Sequence, residues 1–173
     1  MKKILLALIC WIAACPLWAE GDIAGYWKSI SDETGKPQCV VVIYEYKGDY
    51  YGRMVGSFDD NGKMDDTFAN PHKRATALPG QPYYSGLDFI WGLDKRGSDY
   101  KGQILNPENG KVYKAVLWTE NGNLKVEGKL LGLGRTQTWV PATKSDYPPG
   151  LKLPDVKKFV PVAPVGELWP QIN

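Results

Sequence analysis

The chain has 173 residues, of which 43% are hydrophobic and 23% charged, as is typical of a folded domain large enough for a sizeable core. Its 21 basic and 19 acidic residues nearly balance, and the absence of a clustered basic stretch argues against nucleic-acid binding. The 19 glycines and 13 prolines, without any long helical pattern, favour an all-β design with many turns.

Residues 1–19 have the order of a secretory signal peptide. Met1–Lys3 is a basic start, an apolar run follows over residues 4–14, and Ala19 offers a small residue for cleavage. The apolar run is too short for a transmembrane helix, which needs about 20 residues. We therefore expect a periplasmic or secreted protein that begins at residue 20, with an uncleaved anchor as the alternative.

The cysteines allow a second localisation. Ile12–Cys15 resembles a bacterial lipobox, which would make Cys15 a lipidated first residue and attach the protein to a membrane, although Pro16 directly after it argues against this. Cleavage after Ala19 would instead leave Cys39 as the one thiol, so no disulfide could form within the chain. Cys39 precedes an apolar run and is expected to pack as a small hydrophobic residue, with a redox or dimerising role as the alternative.

Eight extended segments follow in chain order. Glycine-rich turns separate them, and Asn109–Gly110 and Asn121–Gly122 are strong hairpin signals because both turn residues tolerate a positive φ. The predicted strands span residues 23–30, 40–47, 50–58, 87–93, 99–106, 111–119, 123–131 and 134–140. Eight antiparallel strands can close into an up-and-down barrel whose interior holds packed side chains or one small ligand.

Residues 59–86 form a long irregular stretch between the third and fourth predicted strands. Four aspartates, Asp59, Asp60, Asp65 and Asp66, flank an Asn-Gly pair without matching the spacing of an EF-hand, so a solvated turn is favoured over a calcium loop. Prolines keep residues 70–86 out of a sheet, and we expect this segment to cross one mouth of the barrel.

Motifs for catalysis or metal binding are missing from the sequence. His72 is the single histidine, and it has no second histidine or cysteine pair nearby, so we interpret it as a surface residue. There is no HExxH motif, nucleophile elbow or phosphate-binding glycine loop. The sequence therefore predicts neither an enzyme nor a protein with a metal or cofactor.

Asp88 is the one charged residue in the predicted strand 87–93. A solvent-facing carboxylate is the simpler expectation. If Asp88 points into the barrel instead, its buried carboxylate must be hydrogen-bonded or paired with a positive charge, and Arg135 is the candidate partner.

The composition changes after Val140. Seven prolines fall in residues 141–173: Pro141, Pro148, Pro149, Pro154, Pro161, Pro164 and Pro170. Such a segment favours extended polyproline II conformation over a sheet. Its apolar residues leave two interpretations open, a flexible tail or a tail that docks on the barrel or on an envelope protein partner.

Several motifs resemble a bacterial family known as domain of unknown function 2147. They are Gly25–Trp27, Gly102–Tyr113, Leu124–Gly128 and Leu133–Trp139, and the resemblance spans residues 23–139. It implies an exported, lipocalin-like β-barrel with no enzymatic activity, and a Gly-x-Trp start like that of the lipocalins, where the tryptophan plugs one end. The chain departs from the family in lacking a basic residue soon after Trp139, and in its proline-rich tail.

We accordingly expect a 20–140 barrel domain with a 141–173 extension. One hypothesis is a carrier of a small, largely apolar molecule, in which Trp27, Tyr113 and Trp139 line the end of the cavity and Arg135 faces the polar head of the ligand. Asp88 is a further candidate site residue. The alternative is a solidly packed barrel that serves as a protein-interaction module in the cell envelope. A hollow interior of hundreds of cubic ångströms would favour the carrier.

Overall fold

The computed structural model describes residues 22–130 and 133–162. The predicted signal peptide with Cys15, and the tail beyond Val162, lie outside the described residues. The described chain forms nine strands: β1 (Gly25–Ile30), β2 (Pro37–Tyr46), β3 (Asp49–Phe58), β4 (Met64–Thr67), β5 (Asp88–Arg96), β6 (Asp99–Asn106), β7 (Lys111–Glu120), β8 (Asn123–Leu130) and β9 (Leu133–Pro141). Two single-turn 3₁₀ helices follow, Lys144–Asp146 and Val156–Lys158. No helix in these two ranges is long and apolar enough to cross a membrane.

Eight of the strands close into an antiparallel up-and-down barrel in the order β1-β2-β3-β5-β6-β7-β8-β9. The seam lies between the first and last strands, where Lys28 pairs with Val140 and Ser29 with Trp139. The predicted fold class is therefore confirmed. The additional strand β4 was not predicted, because its four residues lie in a stretch rich in aspartate, asparagine and glycine that is typical of turns.

The turn between β7 and β8 shows why the strands meet in register. Asn121 and Gly122 have φ angles of 51° and 76°, the pair of positive values that a tight hairpin requires. β7 and β8 then pair without a register shift from Glu120–Asn123 to Lys114–Lys129. The sequence signal at Asn121 therefore fixes which face of each strand points inward.

One half of the barrel interior is solidly packed. It lies at the end where the β2–β3, β5–β6 and β7–β8 turns meet. Several of its large side chains are at most 1% exposed: Ile43, Leu93, Tyr100, Leu117 and Leu124. Trp27 packs here as well, and its indole N–H donates to the carbonyl of Ile23 at 2.9 Å. This end is a hydrophobic core that leaves the opposite end to form a site.

The proline-rich segment up to residue 162 packs on the outer wall of the barrel. Tyr147 makes an edge-to-face contact with Tyr26 at a centroid distance of 6.4 Å, and Asp146 forms an ion pair with Lys28 at 2.6 Å. Val42, which is paired directly with Tyr26 on the outer face of β2, is 1% exposed. An outer barrel wall is buried to this extent only where another segment covers it. In its described part, the tail therefore docks on the barrel.

Asp88 anchors this docking. Its carboxylate is fully buried and accepts hydrogen bonds from Arg53 Nε at 2.9 Å and Arg53 Nη2 at 2.6 Å, and from the Tyr44 hydroxyl at 2.9 Å. The backbone N–H of Val162 donates to the same carboxylate at 2.6 Å, while Arg53 donates to the carbonyl of Val160 at 2.7 Å. Burial and the negative charge of Asp88 raise the pKa of Tyr44, so its hydroxyl stays protonated and donates.

These contacts correct two predictions. Asp88 does not face solvent, and its partner is Arg53 rather than Arg135. The reason is positional, since Arg53 and Asp88 lie opposite each other on the paired strands β3 and β5, beneath the tail. Alternation along β5 could not reveal a cover supplied by residues more than 70 positions later in the chain.

We expect Asp88→Asn to lower the free energy of unfolding by about 3 kcal/mol, because it leaves the Arg53 guanidinium under the tail without its counter-charge. Equilibrium urea unfolding followed by far-UV circular dichroism measures this change. Asp94→Asn is the matched control, since Asp94 lies on the same strand and pairs with Arg96, but both side chains are largely exposed. The control should change stability much less, and equal losses in the two variants would contradict this account of Asp88.

Candidate functional site

A cavity of about 800 Å³ occupies the half of the barrel opposite the packed core. It opens at the end where the β1–β2 and β6–β7 turns lie, so turn residues such as Glu33 and Glu108 form its rim. The barrel is thus a cup, hollow at one end and filled at the other. Of the two alternatives left by the sequence, an empty space of hundreds of cubic ångströms and a solidly packed barrel, the open half matches the first and the other half is packed.

Three of the five predicted site residues line this cavity: Tyr113, Arg135 and Trp139. Trp27 is not part of the lining, because it is buried in the packed half. Asp88 also lies elsewhere, on the outer wall under the tail. The structure therefore brings together the predicted residues of β7 and β9 and separates the other two from them.

The wall of the cavity is apolar where it meets the core. Trp139 is 3% exposed, and its ring centroid lies 6.5 Å from that of Phe89 across the barrel. Val126 of β8 and Met54 of β3 complete this surface. The Trp139 indole N–H donates to Gln137 Oε1 at 3.2 Å, so its one polar atom is satisfied within β9. A bound molecule would meet carbon surface on this side.

Arg135 lies at the rim with its charge already paired. Its guanidinium is 3.2 Å from Asp32 and 3.9 Å from Glu33, both in the β1–β2 turn, and its side chain is 60% exposed. In this geometry the Arg135 guanidinium faces the carboxylates of the β1–β2 turn. The residue connects β9 to the β1–β2 turn and leaves little uncompensated positive charge at the mouth.

The long connection between β4 and β5 forms the other side of the mouth. Asp66 holds it, since this fully buried carboxylate accepts the backbone N–H groups of His72 at 2.6 Å and Lys73 at 2.9 Å and the hydroxyl of Ser85. Lys73 and Tyr84 then line the cavity, with the Lys73 ammonium paired to Asp65 at 2.9 Å. The connection therefore lies at the mouth, where we expected residues 70–86.

The aspartates of residues 59–66, in the β3–β4 turn and in β4, act as structural acceptors. Asp59 accepts the backbone N–H groups of Asn61 and Lys63 at 2.9 and 2.8 Å, as in a solvated turn, and these bonds lower its pKa. The His72 side chain is half exposed, with its nitrogens 3.4–3.5 Å from carboxylate oxygens of Asp65 and Asp66. In the part of the chain that the structure describes, no group of three or more potential ligands is arranged to hold a metal ion.

Sequence reasoning missed several lining residues that share a face with predicted ones. Ser29 lies two positions after Trp27 on β1, and Gln137 lies two positions before Trp139 on β9. The two-residue period of a strand was the available signal. Cys39 and Met54 were harder to find, because the bulge between β2 and β3 interrupts their alternation.

Cys39 faces this cavity as a neutral thiol. Its sulfur is 3.2 Å from the Ser29 hydroxyl across the β1–β2 pairing. Burial raises the pKa of Cys39 from 9 to about 11. A thiol of this kind is a poor nucleophile at neutral pH, because the thiolate is the reactive form. The lining thus favours non-covalent binding over chemistry at sulfur.

We expect Cys39 in the folded protein to react with iodoacetamide about 100-fold more slowly at pH 8 than the same thiol in urea, because its pKa lies about two units higher. The folded-state rate should keep rising up to pH 11, beyond the point at which the unfolded rate levels off. Mass spectrometry of the Cys39 peptide measures the modification at this one site. Equal folded and unfolded rates would show that the thiol is not buried.

Comparison with known proteins gives one match. A family model described as "Uncharacterized protein conserved in bacteria (DUF2147)" matches residues 25–140, which begin at β1 and end within β9. No curated protein matches the chain. No solved structure matches it either.

Proposed function

The chain belongs to the family of uncharacterized proteins conserved in bacteria, DUF2147, and for this member we propose that the open half of the barrel binds one small molecule. The cavity carries the proposal. Its volume of about 800 Å³ falls within the roughly 300–1,000 Å³ of small-molecule sites. The apolar surface around Phe89 and Trp139 supplies the driving force, because a ligand that covers it removes it from water.

Burial and shape are sufficient for this function. In the described part of the cavity wall there is no histidine, and the Cys39 thiol is protonated at neutral pH. No cofactor is needed for binding of this kind. We propose a non-enzymatic carrier or sensor that acts outside the cytoplasm, on the strength of the signal-peptide order of residues 1–19.

The alternative of a protein-interaction module has one supporting observation. Val160 and Val162 are 60% and 57% exposed on the docked tail, although their backbone is held by Arg53 and Asp88. The tail nevertheless uses its described contacts on its own barrel. No segment among residues 22–130 and 133–162 occupies the cavity, and we therefore favour the ligand-binding function.

Native mass spectrometry of protein purified from its own bacterial host tests the proposal directly. We expect a population with the added mass of one non-covalent ligand that is lost on unfolding. As a second measurement, N-phenyl-1-naphthylamine, an uncharged fluorescent probe, should bind with a stoichiometry of one. A clean apo mass together with no probe binding would overturn the carrier function.

Gly128→Phe should block the cavity without disturbing the barrel. A Cβ at this position would lie 3.8 Å from Ile104 Cγ2 and 3.9 Å from Tyr113 Cβ, which is ordinary contact, so the added ring must extend into the empty space. We expect the affinity for N-phenyl-1-naphthylamine to fall at least about tenfold, with a thermal midpoint unchanged or raised, because the ring fills a void.

Thr136→Phe is the control for this variant. Thr136 is exposed on the outer face of β9, opposite Glu127, so the same ring there cannot enter the cavity. Its probe affinity should equal that of the parent protein. Retained binding in a folded Gly128→Phe variant would show that the probe binds outside the barrel.

A further inference from the structure

The cavity has two chemically different walls. On the adjacent strands β9, β1 and β2, the polar groups of Gln137, Ser29 and Cys39 lie at neighbouring positions on the lining, above the ring of Trp139 at the base of the cavity. Phe89 of β5 and Ile104 of β6 line the cavity from strands across the barrel, and Met54 of β3, the strand next to β2, adds further apolar surface. A molecule in the cavity therefore meets hydrogen-bonding groups on one side and carbon surface on the other.

The polar wall consists of uncharged groups, and the charges stand at the rim in pairs. Arg135 pairs with Asp32, Lys73 pairs with Asp65, and the carboxylate of Glu108 adds a negative charge. An anionic ligand would have to compete with these carboxylates for the two cations. A cation buried at depth would meet no carboxylate among the described lining of the polar wall. The charge distribution thus favours a ligand that is uncharged.

Gln137 provides the most specific contact available on the polar wall. Its amide oxygen accepts the hydrogen bond from the Trp139 indole N–H, so the amide nitrogen of Gln137 is not used in that bond. Within residues 22–130 and 133–162, the Gln137 amide nitrogen donates to no protein group. Among the described residues, the one contact of the nearby Ser29 hydroxyl is the weak contact with the Cys39 sulfur. Donors of this kind bind a carbonyl or hydroxyl oxygen of a ligand.

We infer that the ligand is an uncharged molecule with one apolar face and one edge of hydroxyl or amide groups. Its apolar face packs on Phe89 and Met54, and its hydrogen-bonding edge contacts Gln137 and Ser29. This inference depends on the proposed function, because it specifies which chemical class the open half of the barrel selects. Linear fatty acids do not fit it, since they carry a charged head and no second polar edge.

Three probes that share one ring system test the inference by displacement of N-phenyl-1-naphthylamine at pH 7. They are 2-naphthamide, 2-ethylnaphthalene and 2-naphthoate, which carry a neutral polar group, an apolar group and an anionic group at the same position. We expect 2-naphthamide to bind at least about tenfold more tightly than 2-naphthoate, because the anion loses its hydration without gaining a free cation.

The decisive measurement is the ratio of the affinities for 2-naphthamide and 2-ethylnaphthalene. Gln137→Leu should lower this ratio about fivefold to tenfold, the size of one net hydrogen bond. A merely structural role for Gln137 would weaken both probes equally and leave the ratio unchanged. Gln103→Leu is the matched control, because Gln103 is exposed on the outer face of β6, where it pairs with the exposed Lys114.

The outcomes separate the two proposals. If N-phenyl-1-naphthylamine binds but 2-naphthoate equals or exceeds 2-naphthamide, or Gln137→Leu leaves the ratio unchanged, the cavity binds a ligand and the inferred class is wrong. The same holds if 2-naphthamide fails to displace the bound probe. If N-phenyl-1-naphthylamine itself does not bind and the host protein carries no ligand, the proposed function fails first.

Discussion

Ser29 on β1 and Trp139 on β9 lie side by side across the seam that closes the barrel. Most of the remaining structure depends on this pairing. It removes the two free edges that an open sheet of eight strands would expose. It also places the aromatic ring of Trp139 beside the hydroxyl of Ser29 on the inner surface. Without the seam the sheet would not enclose an interior, and the first and last strands would not form one continuous part of the cavity wall.

The interior created by the seam is divided along its axis. Large side chains such as Tyr100 and Leu117 fill one half, and they are almost completely buried. In the other half, small residues face inward at Gly128 and Ser29, and the cavity occupies the volume that larger side chains would have taken. The hydrophobic core and the cavity thereby lie at different ends of the barrel. A substitution at the open end can therefore change the shape of the cavity while leaving the hydrophobic core intact.

The outer wall of the barrel contains a buried ion pair beneath the tail. A buried carboxylate is costly unless it is paired and hydrogen-bonded, and Asp88 receives four hydrogen bonds, from Arg53, Tyr44 and Val162. Only one of these donors comes from the tail. The other three are supplied by β2 and β3, so the ion pair exists within the barrel and the tail completes its burial. Arg53 and Asp88 bind the main chain of Val160 and Val162, and this adds to the packing of Tyr147 and Phe159 on Tyr26 and Tyr44 of the barrel.

The sequence by itself determined the number, order and approximate bounds of the eight barrel strands. Strand alternation and positive-φ turns such as Asn121–Gly122 are local properties that survive in any tertiary context. The same alternation placed Tyr113 and Trp139 on the inner face. Family resemblance added the expectation of a closed barrel, which the seam confirms.

Only the tertiary structure decided where the barrel is hollow, how the charges pair and what the tail covers. Asp88 was expected to face solvent, yet it lies beneath residues 160–162, and Arg135 pairs with Asp32 across the mouth. Such contacts join residues about 70 to 100 positions apart, and neither period nor composition encodes them. The volume of the cavity likewise depends on how the barrel strands are arranged around it. The curvature of the closed sheet sets the distance between strands that face each other across the barrel. This distance decides the cavity volume, and it is not a property of any single strand in the sequence.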